Sequence, residues 1–270
     1  MYIRKEFWTL AKDNVYVAAH RGLSSDYPEN TLEAFQAAIN CGVDQIETDV
    51  RETADGVLVL IHDDTVDRTT GSSGRVADMT YDELLQLTPS NKKTGFDNVK
   101  IPTLEQFLSL VSAGNVKTLD IELKVYPTPG NETRSYNVCD RTLEMLEKYG
   151  YNGRFVINTF SGKLHEYIYK KYNGYYLQHV YWPIGNLGED MSLNPYSYAY
   201  CCCMFGGDPG NMARISDFEY MKKAGVSPWA GAGVKDMDTV KEAVSHGAEL
   251  ITCNNPDKII ACLKELGVKR

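Results

Sequence analysis

The sequence lacks the features of three large classes of protein, namely membrane-spanning proteins, nucleic-acid binders and proteins stabilised by disulfides or zinc. No apolar run reaches the roughly 18 residues that a membrane-spanning helix needs. No run of lysine and arginine exceeds two residues, and the formal net charge is −8. Because nucleic-acid binders need clustered cations to neutralise phosphates, a polymeric nucleic acid partner is disfavoured. The seven cysteines are odd in number and have no paired spacing, so neither a disulfide framework nor a tetrahedral zinc site is indicated.

The beginning of the chain and its run of cysteines give two smaller expectations. The first 14 residues lack the apolar stretch of a signal peptide, which favours a cytoplasmic location, and they predict an amphipathic lead-in helix. Cys201, Cys202 and Cys203 are consecutive, which suits small apolar residues of a buried strand better than joint ligands of one metal ion. We therefore expect buried, reduced thiols.

Short apolar runs that alternate with helical stretches dominate the 270 residues. Predicted strands cover residues 15–19, 44–50, 117–124, 155–159, 175–181, 199–204, 227–231 and 249–252. Predicted helices cover residues 31–41, 103–111, 135–148, 162–172, 215–224, 236–246 and 256–265. Such alternation is typical of a parallel sheet, and eight strands in a chain of this length predict a closed TIM (β/α)8 barrel. An open doubly wound sheet is the alternative, although no GxGxxG motif follows the first strand.

One segment breaks the alternation directly after the second strand. Residues 57–62 follow a turn that is too short for the crossover that a parallel neighbour requires. The turn contains Asp55 and Gly56, a pair that is typical of two-residue hairpin loops. If these two residues form the loop, Asp49 lies opposite His62, and two chemically capable side chains become neighbours.

Residues 63–100 leave the alternation a second time. The segment is polar, contains Thr-Thr-Gly and Ser-Ser-Gly, and has one short helical stretch at residues 81–87. Excursions of this length in a compact domain are usually lids or small functional insertions. We expect the insertion to cover part of the barrel mouth, within a single catalytic domain that spans residues 1–270.

Ionisable side chains collect at the predicted ends of the first three barrel strands and of the hairpin, where barrel enzymes place their chemistry. These ends carry His20, Arg21, Glu47, Asp49, His62, Glu122 and Lys124. Glu47 and Asp49 share one face of their strand because side chains alternate. Each pair among three such carboxylates costs about 4 kcal/mol at a separation of about 4 Å and an effective dielectric constant near 20, so a cation must offset them. Oxygen ligands without cysteine suit Ca²⁺ or Mg²⁺.

The charges of this cluster suit a phosphodiester. Three carboxylates bring three negative charges, whereas a divalent cation with Arg21 and Lys124 brings four positive charges, which leaves one for a monoanion. His20 and His62 flank the cluster and are candidates for the general acid and base of P–O cleavage. A lone Glu-x-Asp pair on a strand is more often a solvated face, and only its combination with the other strand ends favours a site.

Several other residues are interpreted more simply. His165, His179 and His246 fall on or near helices or in the middle of a strand, so we expect structural or surface roles for them. Asn30 or Thr31 is expected to cap the helix that follows, because short polar side chains are favoured at that position.

Seven short motifs follow one another in order along the first half of the chain. They are HRG, PENT, ExD, DG, HD, RTT and ELK, in the stretches AAHRGLSSDYPENTLEAF, IETDVRETADGVLVLIHDDTVDRTTGSSG and LDIELK, with IPTLEQFL before the last stretch and ITCNNPD near the C-terminus. Together they resemble the glycerophosphodiester phosphodiesterase family. The resemblance implies a TIM barrel that cleaves glycerophosphodiesters to glycerol 3-phosphate and an alcohol. By position it implies His20 and His62 as the acid/base pair, Arg21 and Lys124 as phosphate contacts, and Glu47, Asp49 and Glu122 as ligands of one divalent cation, Ca²⁺ or Mg²⁺.

The second half of the chain departs from the family pattern. Residues 227–233 stand where the family often has Trp-Thr-Val-Asn, and we assign Trp229 to an aromatic wall for the glycerol or the leaving group. The expected partner is a small glycerophosphodiester. Two alternatives stay open, a phospholipase D-like reaction on lysolipids and a catalytically silent barrel that binds a phosphorylated ligand. The former needs an apolar patch at the mouth. The leaving alcohol and the oligomeric state also stay open.

Overall fold

The computed structural model describes residues 14–114, 116–184, 192–206 and 211–270. The lead-in helix predicted at the beginning of the chain lies outside these residues. The strands are β1 (Tyr16–His20), β2 (Gln45–Glu52), β3 (Leu58–Leu60), β4 (Thr118–Leu123), β5 (Phe155–Asn158), β6 (Leu177–Tyr181), β7 (Ala199–Cys203), β8 (Ser227–Ala230) and β9 (Leu250–Cys253). The α-helices are α1 (Leu32–Cys41), α2 (Asp67–Thr70), α3 (Tyr81–Leu84), α4 (Leu104–Ala113), α5 (Glu132–Lys148), α6 (Gly162–Lys171), α7 (Ile215–Lys223), α8 (Met237–His246) and α9 (Pro256–Glu265).

Eight of the strands close into a parallel barrel. Neighbouring strands follow the order β1, β2, β4, β5, β6, β7, β8 and β9, and β9 pairs with β1 to complete the circle. Strand β3 stands outside this circle and pairs antiparallel with the C-terminal half of β2. The predicted TIM barrel with a hairpin after its second strand is therefore confirmed, and the open sheet is excluded.

Local capping fixes where the crossover helices begin and end. The Thr31 hydroxyl accepts a hydrogen bond from the Ala34 amide at 3.2 Å and begins α1, and Gly42 ends it in the left-handed conformation. Thr103 and Gln106 form a reciprocal capping box at the start of α4. These side chains satisfy backbone groups that a helix end leaves without partners.

Apolar side chains fill the lower part of the barrel and its outer face. A layer inside the barrel closes its floor, and two larger clusters pack the strands against the helices. The inner layer consists of Ala18, Val156, Leu177, Cys201, Trp229 and Leu250. The three consecutive cysteines are buried and free, as predicted. In the described part of the chain, every helix is too short or too polar to traverse a bilayer.

The chain reversal between β2 and β3 is present, but its register differs by one residue from the prediction. The Thr53 amide donates to the Val57 carbonyl at 3.0 Å, and the Val57 amide donates back to the Thr53 hydroxyl at 2.8 Å. The loop therefore has three residues and ends with Gly56 at a φ of 83°. Three-residue hairpins with a left-handed glycine are a common type, and a dipeptide signal alone does not separate them from two-residue loops.

The shifted register changes which residues face each other. The Ile61 amide donates to the Asp49 carbonyl at 3.2 Å, so Ile61 lies where His62 was predicted. His62 follows directly, and its carbonyl oxygen accepts hydrogen bonds from the Arg51 guanidinium at 2.8 and 3.0 Å. The predicted pairing of Asp49 with His62 is therefore wrong in register, although His62 still reaches the rim of the barrel.

The insertion of residues 63–100 packs on this hairpin and reaches the barrel rim. Its apolar side chains join β3 in a small separate cluster that contains Val66, Val76 and Leu84. The Lys93 ammonium donates to the Ser25 carbonyl at 2.6 Å, which ties the insertion to the loop after β1. The short predicted helix is present as α3.

Candidate active site

Three carboxylates from two neighbouring strands converge at the C-terminal end of the barrel. Oxygen atoms of Glu47, Asp49 and Glu122 all lie within 4.8 Å of one another, and all three side chains are buried. Strands β2 and β4 are in register so that Asp49 pairs with Glu122. The two strands therefore deliver their carboxylates at the same height, and the structure brings the three predicted ligands together.

The carboxylate oxygens have the character of cation ligands. Glu47 Oε1 and Asp49 Oδ1 are buried and make no hydrogen bond to any described residue. Burial, and next the charge of Asp49, raises the pKa of Glu47 well above its usual range. Burial of a carboxylate oxygen without a hydrogen bond is unfavourable, and a bound cation would offset that cost. The donor set consists of oxygen atoms alone, so the cluster can hold a hard divalent ion.

Arg21 is fixed between acidic groups. Its amide donates to Glu47 Oε2 at 3.0 Å, its Nε lies 3.1 Å from Asp49 Oδ2, and its Nη1 donates to Glu29 Oε1 at 3.0 Å. Burial lowers the pKa of the guanidinium, but Asp49 and Glu47 outweigh burial and raise it. The guanidinium is therefore held charged at the edge of the carboxylate cluster.

Lys124 is the second cation of the cluster. Its Nζ lies 3.4 Å from Asp49 Oδ1 and 2.5 Å from Glu122 Oε1. Burial favours a raised pKa for Asp49, yet Arg21 and Lys124 prevail and hold that pKa below its usual range. Burial raises the pKa of Glu122 to about 7 against the opposing charge of Lys124. Of the two paired carboxylates, Asp49 is thus the one that its neighbours keep ionised.

The backbone turn after β1 requires glycine at position 22. Arg21 has a φ of 57° and Gly22 a φ of 83°. A Cβ atom at Gly22 would lie 2.6 Å from the carbonyl carbon of Ala34, whose oxygen accepts the Leu23 amide at 3.0 Å. The tight approach of this turn to α1 therefore explains the glycine of the HRG motif and sets the direction of Arg21.

His20 lies at the end of β1, beside the carboxylate cluster. Its Nδ1 is 2.6 Å from Asn254 Oδ1, and its Nε2 is 3.9 Å from Glu47 Oε2. Burial, and next the charge of Arg21, lowers the pKa of His20 to about 4. The ring is therefore neutral near pH 7 and is oriented by an amide at the end of β9.

His62 is oriented through a chain of ion pairs. Its Nδ1 lies 2.7 Å from Asp63 Oδ1, and Asp63 Oδ2 accepts from Arg68 Nε at 2.6 Å. The same Arg68 guanidinium donates to both oxygens of Glu29, at 2.7 and 2.8 Å. Because Glu29 also holds Arg21, one network of alternating charges joins the two imidazole-bearing loops. Burial lowers the pKa of His62, and Asp49 opposes that shift.

The sequence analysis missed the role of Asn30. Thr31 caps α1 as predicted. The side chain of Asn30 instead donates from Nδ2 to Asp49 Oδ2 at 2.8 Å, and its Oδ1 accepts from the Thr48 hydroxyl at 2.8 Å. Asn30 therefore orients a carboxylate of the cluster. Its signal in the sequence was its place in the PENT motif. The same holds for Glu29, while Asn254 stands in the ITCNNPD stretch near the C-terminus.

A cleft of about 190 Å³ opens beside these residues. Its rim carries a stack of aromatic rings in which the Phe160 and Tyr181 centroids are 3.8 Å apart and the Tyr181 and Phe205 centroids 5.6 Å apart. Trp229 does not line this cleft. Its side chain is fully buried in the inner apolar layer, and its Nε1 donates to the Ser227 hydroxyl at 2.9 Å. The ring points down the barrel, so the aromatic side chains beside the cleft are the three stacked rings and not Trp229.

The remaining histidines divide into two groups. His165 is buried with Nδ1 2.6 Å from Gln178 Oε1 and Nε2 3.1 Å from the Thr159 carbonyl oxygen, as a structural histidine should be. His246 lies 3.1 Å from the Ala213 carbonyl oxygen at the end of α8. His179, in contrast, lines the cleft. The sequence analysis predicted a structural or surface role for His179 and did not predict its position in the wall of the cleft.

Comparison with known proteins agrees with this geometry. The family model described as "Glycerophosphoryl diester phosphodiesterase family" matches residues 20–258. The chain belongs to this family. A glycerophosphodiester phosphodiesterase of Caldanaerobacter subterraneus subsp. tengcongensis is 31% identical over 261 residues, which cover 93% of this chain and 98% of that protein. One from Bacillus altitudinis is 39% identical over 149 residues, which cover 53% of this chain and only 57% of that protein.

A solved structure shares the fold of this member of the phosphodiesterase family. An Oleispira antarctica phosphodiesterase in complex with the product sn-glycerol-3-phosphate superposes with a TM-score of 0.78 at 21% identity. The match covers 95% of this chain and 100% of that one. The similarity in fold extends over the whole barrel, including the second half in which the sequence departs most from the family pattern.

Proposed function

We propose that the protein hydrolyses glycerophosphodiesters to glycerol 3-phosphate and an alcohol in a reaction that depends on one divalent cation, Ca²⁺ or Mg²⁺. The observation that carries the proposal is the convergence of the buried carboxylates of Glu47, Asp49 and Glu122 beside a cleft that His20 and His62 line. The names of the two relatives, and the product in the Oleispira antarctica complex, support the substrate class.

The two cations of the cleft suit the phosphoryl group. Arg21 presents a planar guanidinium that Glu29 holds in place beside Asp49 Oδ2, and Lys124 adds a compact charge beside Asp49 Oδ1. A metal ion held by the three carboxylates would supply two further positive charges next to the phosphoryl oxygens. Arg21, Lys124 and the metal ion would then together balance the charge of the substrate monoanion and of the three carboxylates.

The two histidines are positioned to move protons. His20 and His62 each use Nδ1 to hold an oriented partner, Asn254 or Asp63, which leaves Nε2 of each ring for the substrate. In the net hydrolysis, water forms the new P–O bond as the bond to the leaving alcohol breaks; one ring would take a proton from the water, and the other would donate a proton to the departing alkoxide. Positioned acid/base groups of this kind contribute about 10²- to 10⁴-fold to the rate.

The proposal is tested by turnover of a substrate panel with and without a chelator. The panel contains glycerophosphocholine, glycerophosphoethanolamine and lysophosphatidylcholine, and His62→Ala serves as a control for contaminating activity. We expect release of glycerol 3-phosphate from the first two, loss of turnover in excess EDTA, and recovery with Ca²⁺ or Mg²⁺. Preferred cleavage of the lysolipid would instead support the phospholipase D-like alternative. Turnover that persists in EDTA would reject the metal role, and absence of all turnover would favour a silent binding barrel.

A further inference from the structure

A second layer of polar side chains lies inside the barrel, one level below the carboxylate cluster. His179 of β6 has its Nδ1 2.7 Å from Asp120 Oδ2 of β4. The two residues are only 3% and 0% exposed. Asp120 pairs with Glu47 in the register of β4 and β2, so this layer adjoins the proposed catalytic groups. Neither residue has a role in the function proposed above.

This layer offers hydrogen-bonding atoms that no described residue satisfies. His179 Nε2, Asp120 Oδ1, Asn158 Oδ1 and Thr252 Oγ1 are all buried and without hydrogen-bond partners. All four residues line the cleft. Buried polar atoms are nearly always paired, since each unpaired one costs about 1–3 kcal/mol. Four such atoms around one small cleft therefore point to a polar group of a ligand that completes them.

The His179 ring is held so that its free nitrogen cannot turn away. Trp229 of the apolar layer packs against it with ring centroids 4.9 Å apart, and the Tyr181 ring contacts it with centroids 5.5 Å apart. The Asp120 carboxylate accepts at Nδ1, so a neutral ring carries its proton there and presents Nε2 as an acceptor. Two aromatic contacts and one hydrogen bond thus preorganise this acceptor in the cleft.

We propose that His179, oriented by Asp120 and assisted by Asn158 and Thr252, forms a subsite that binds the free hydroxyl groups of the glyceryl moiety. The inference rests on the proposed function and deepens it, because it assigns an orientation to the substrate. The glyceryl group occupies the polar floor, and the leaving alcohol lies at the stacked rings of Phe160, Tyr181 and Phe205. A hydroxyl group both donates and accepts, so it can satisfy Nε2 and the Thr252 hydroxyl together.

An anionic group is a poor occupant of this floor because Asp120 would repel it. A primary ammonium group could donate to the same acceptors, and it is the competing occupant. Ligands that carry either hydroxyl groups or an ammonium group therefore distinguish the two possible occupants.

The test is calorimetric binding of three phosphate monoesters to the full chain in the presence of Mg²⁺. The monoesters are glycerol 3-phosphate, n-propyl phosphate, which lacks both hydroxyls, and phosphoethanolamine, which carries the ammonium group. We expect wild type to bind glycerol 3-phosphate about 10- to 100-fold tighter than n-propyl phosphate, because sites built for a hydroxyl reject analogues that lack it. In His179→Leu this ratio should fall to about 1, with the affinity for n-propyl phosphate unchanged.

Two further variants keep the test decisive. His179→Gln retains a polar group that can reach Asp120 and should recover part of the preference for glycerol 3-phosphate. His165→Gln removes the chain's other buried imidazole, which bonds outside the cleft, and should lower the melting temperature without altering the ratio. A ratio that His179→Leu leaves intact would overturn the subsite, as would a selective loss of phosphoethanolamine binding. Binding is measured without turnover, so failure of the proposed hydrolysis would be seen separately.

Discussion

Replacement of Asp63 by asparagine tests whether the ion-pair chain around His62 serves catalysis. The substitution keeps an acceptor of the same size 2.7 Å from His62 Nδ1 but removes its negative charge. It also deprives Arg68 of one of its two acidic partners. The His62 ring then loses the negative charge that would stabilise its protonated form during proton transfer.

The solvent exposure of the His62–Asp63 pair sets the expected size of the loss in kcat. The side chains of His62 and Asp63 are 33% and 27% exposed. Solvent screening therefore keeps the pair below the full strength of a buried charge-assisted hydrogen bond, and we take about 1–2 kcal/mol. If this stabilisation is lost only in the transition state, kcat falls about 5- to 30-fold. The KM value should change little, since Asp63 does not line the cleft.

The pH dependence gives a second, independent readout. Burial is the main cause that lowers the pKa of His62, and the hydrogen bond to Asp63 opposes it. Without the carboxylate this opposition is lost, so the pKa falls further. The limb of the kcat profile that reports His62 should therefore move to lower pH in Asp63→Asn.

The assay is steady-state hydrolysis of glycerophosphocholine across a pH series, with Asp64→Asn as the matched control. Asp64 is exposed, adjacent in sequence, and undergoes the same change of charge. We expect the control to retain wild-type kcat and pH profile. An unchanged kcat in Asp63→Asn, or an equal loss in Asp64→Asn, would refute the argument that Asp63 acts through His62.

Two more predictions concern the loop after β1 and the end of β9. Gly22→Ala adds a left-handed alanine and a contact of 2.6 Å to Ala34, so it should cost about 3 kcal/mol or more and lower the melting temperature by about 6–12 °C. Gly42→Ala has a similar φ but open space around its Cβ, and should cost only about 1 kcal/mol in the same thermal melt. Asn254→Ala releases His20 and should lower kcat about 10-fold with little change in KM, as measured by steady-state kinetics.

The first half of the site was predictable because two independent patterns coincide there. The alternation of strands and helices sets a parallel barrel, and its strand ends carry ionisable residues in an apolar context. Parallel neighbours β2 and β4 then place Asp49 beside Glu122 at the same height. Residue type and topology together therefore suffice to predict the carboxylate cluster, although neither pattern does so alone.

The floor of the cleft was beyond prediction for a geometric reason. His179 and Asp120 belong to β6 and β4, which are separated by β5, so their contact crosses the barrel interior and not a strand pair. Side-chain periodicity tells which residues point inward but not the direction that a ring takes along the barrel axis. The same gap explains Trp229, whose inward position was expected but whose ring turns toward Ser227.

The PENT and RTT motifs supply no cation ligand, yet the structure shows why they belong to the same site. Arg21, Glu29, Arg68 and Asp63 form a continuous chain in which positive and negative groups alternate, and the His62 ring lies in hydrogen-bond contact with the carboxylate at its end. Each charge that the fold partly removes from water thereby gains an oppositely charged neighbour. Two loops that are distant in sequence are also fixed at one mutual distance, which a proton-transfer pair requires. His62 therefore belongs to the site although the hairpin register differs by one residue from the prediction. The hydrogen bond to Asp63 orients its side chain, and the Arg51 guanidinium holds its backbone carbonyl.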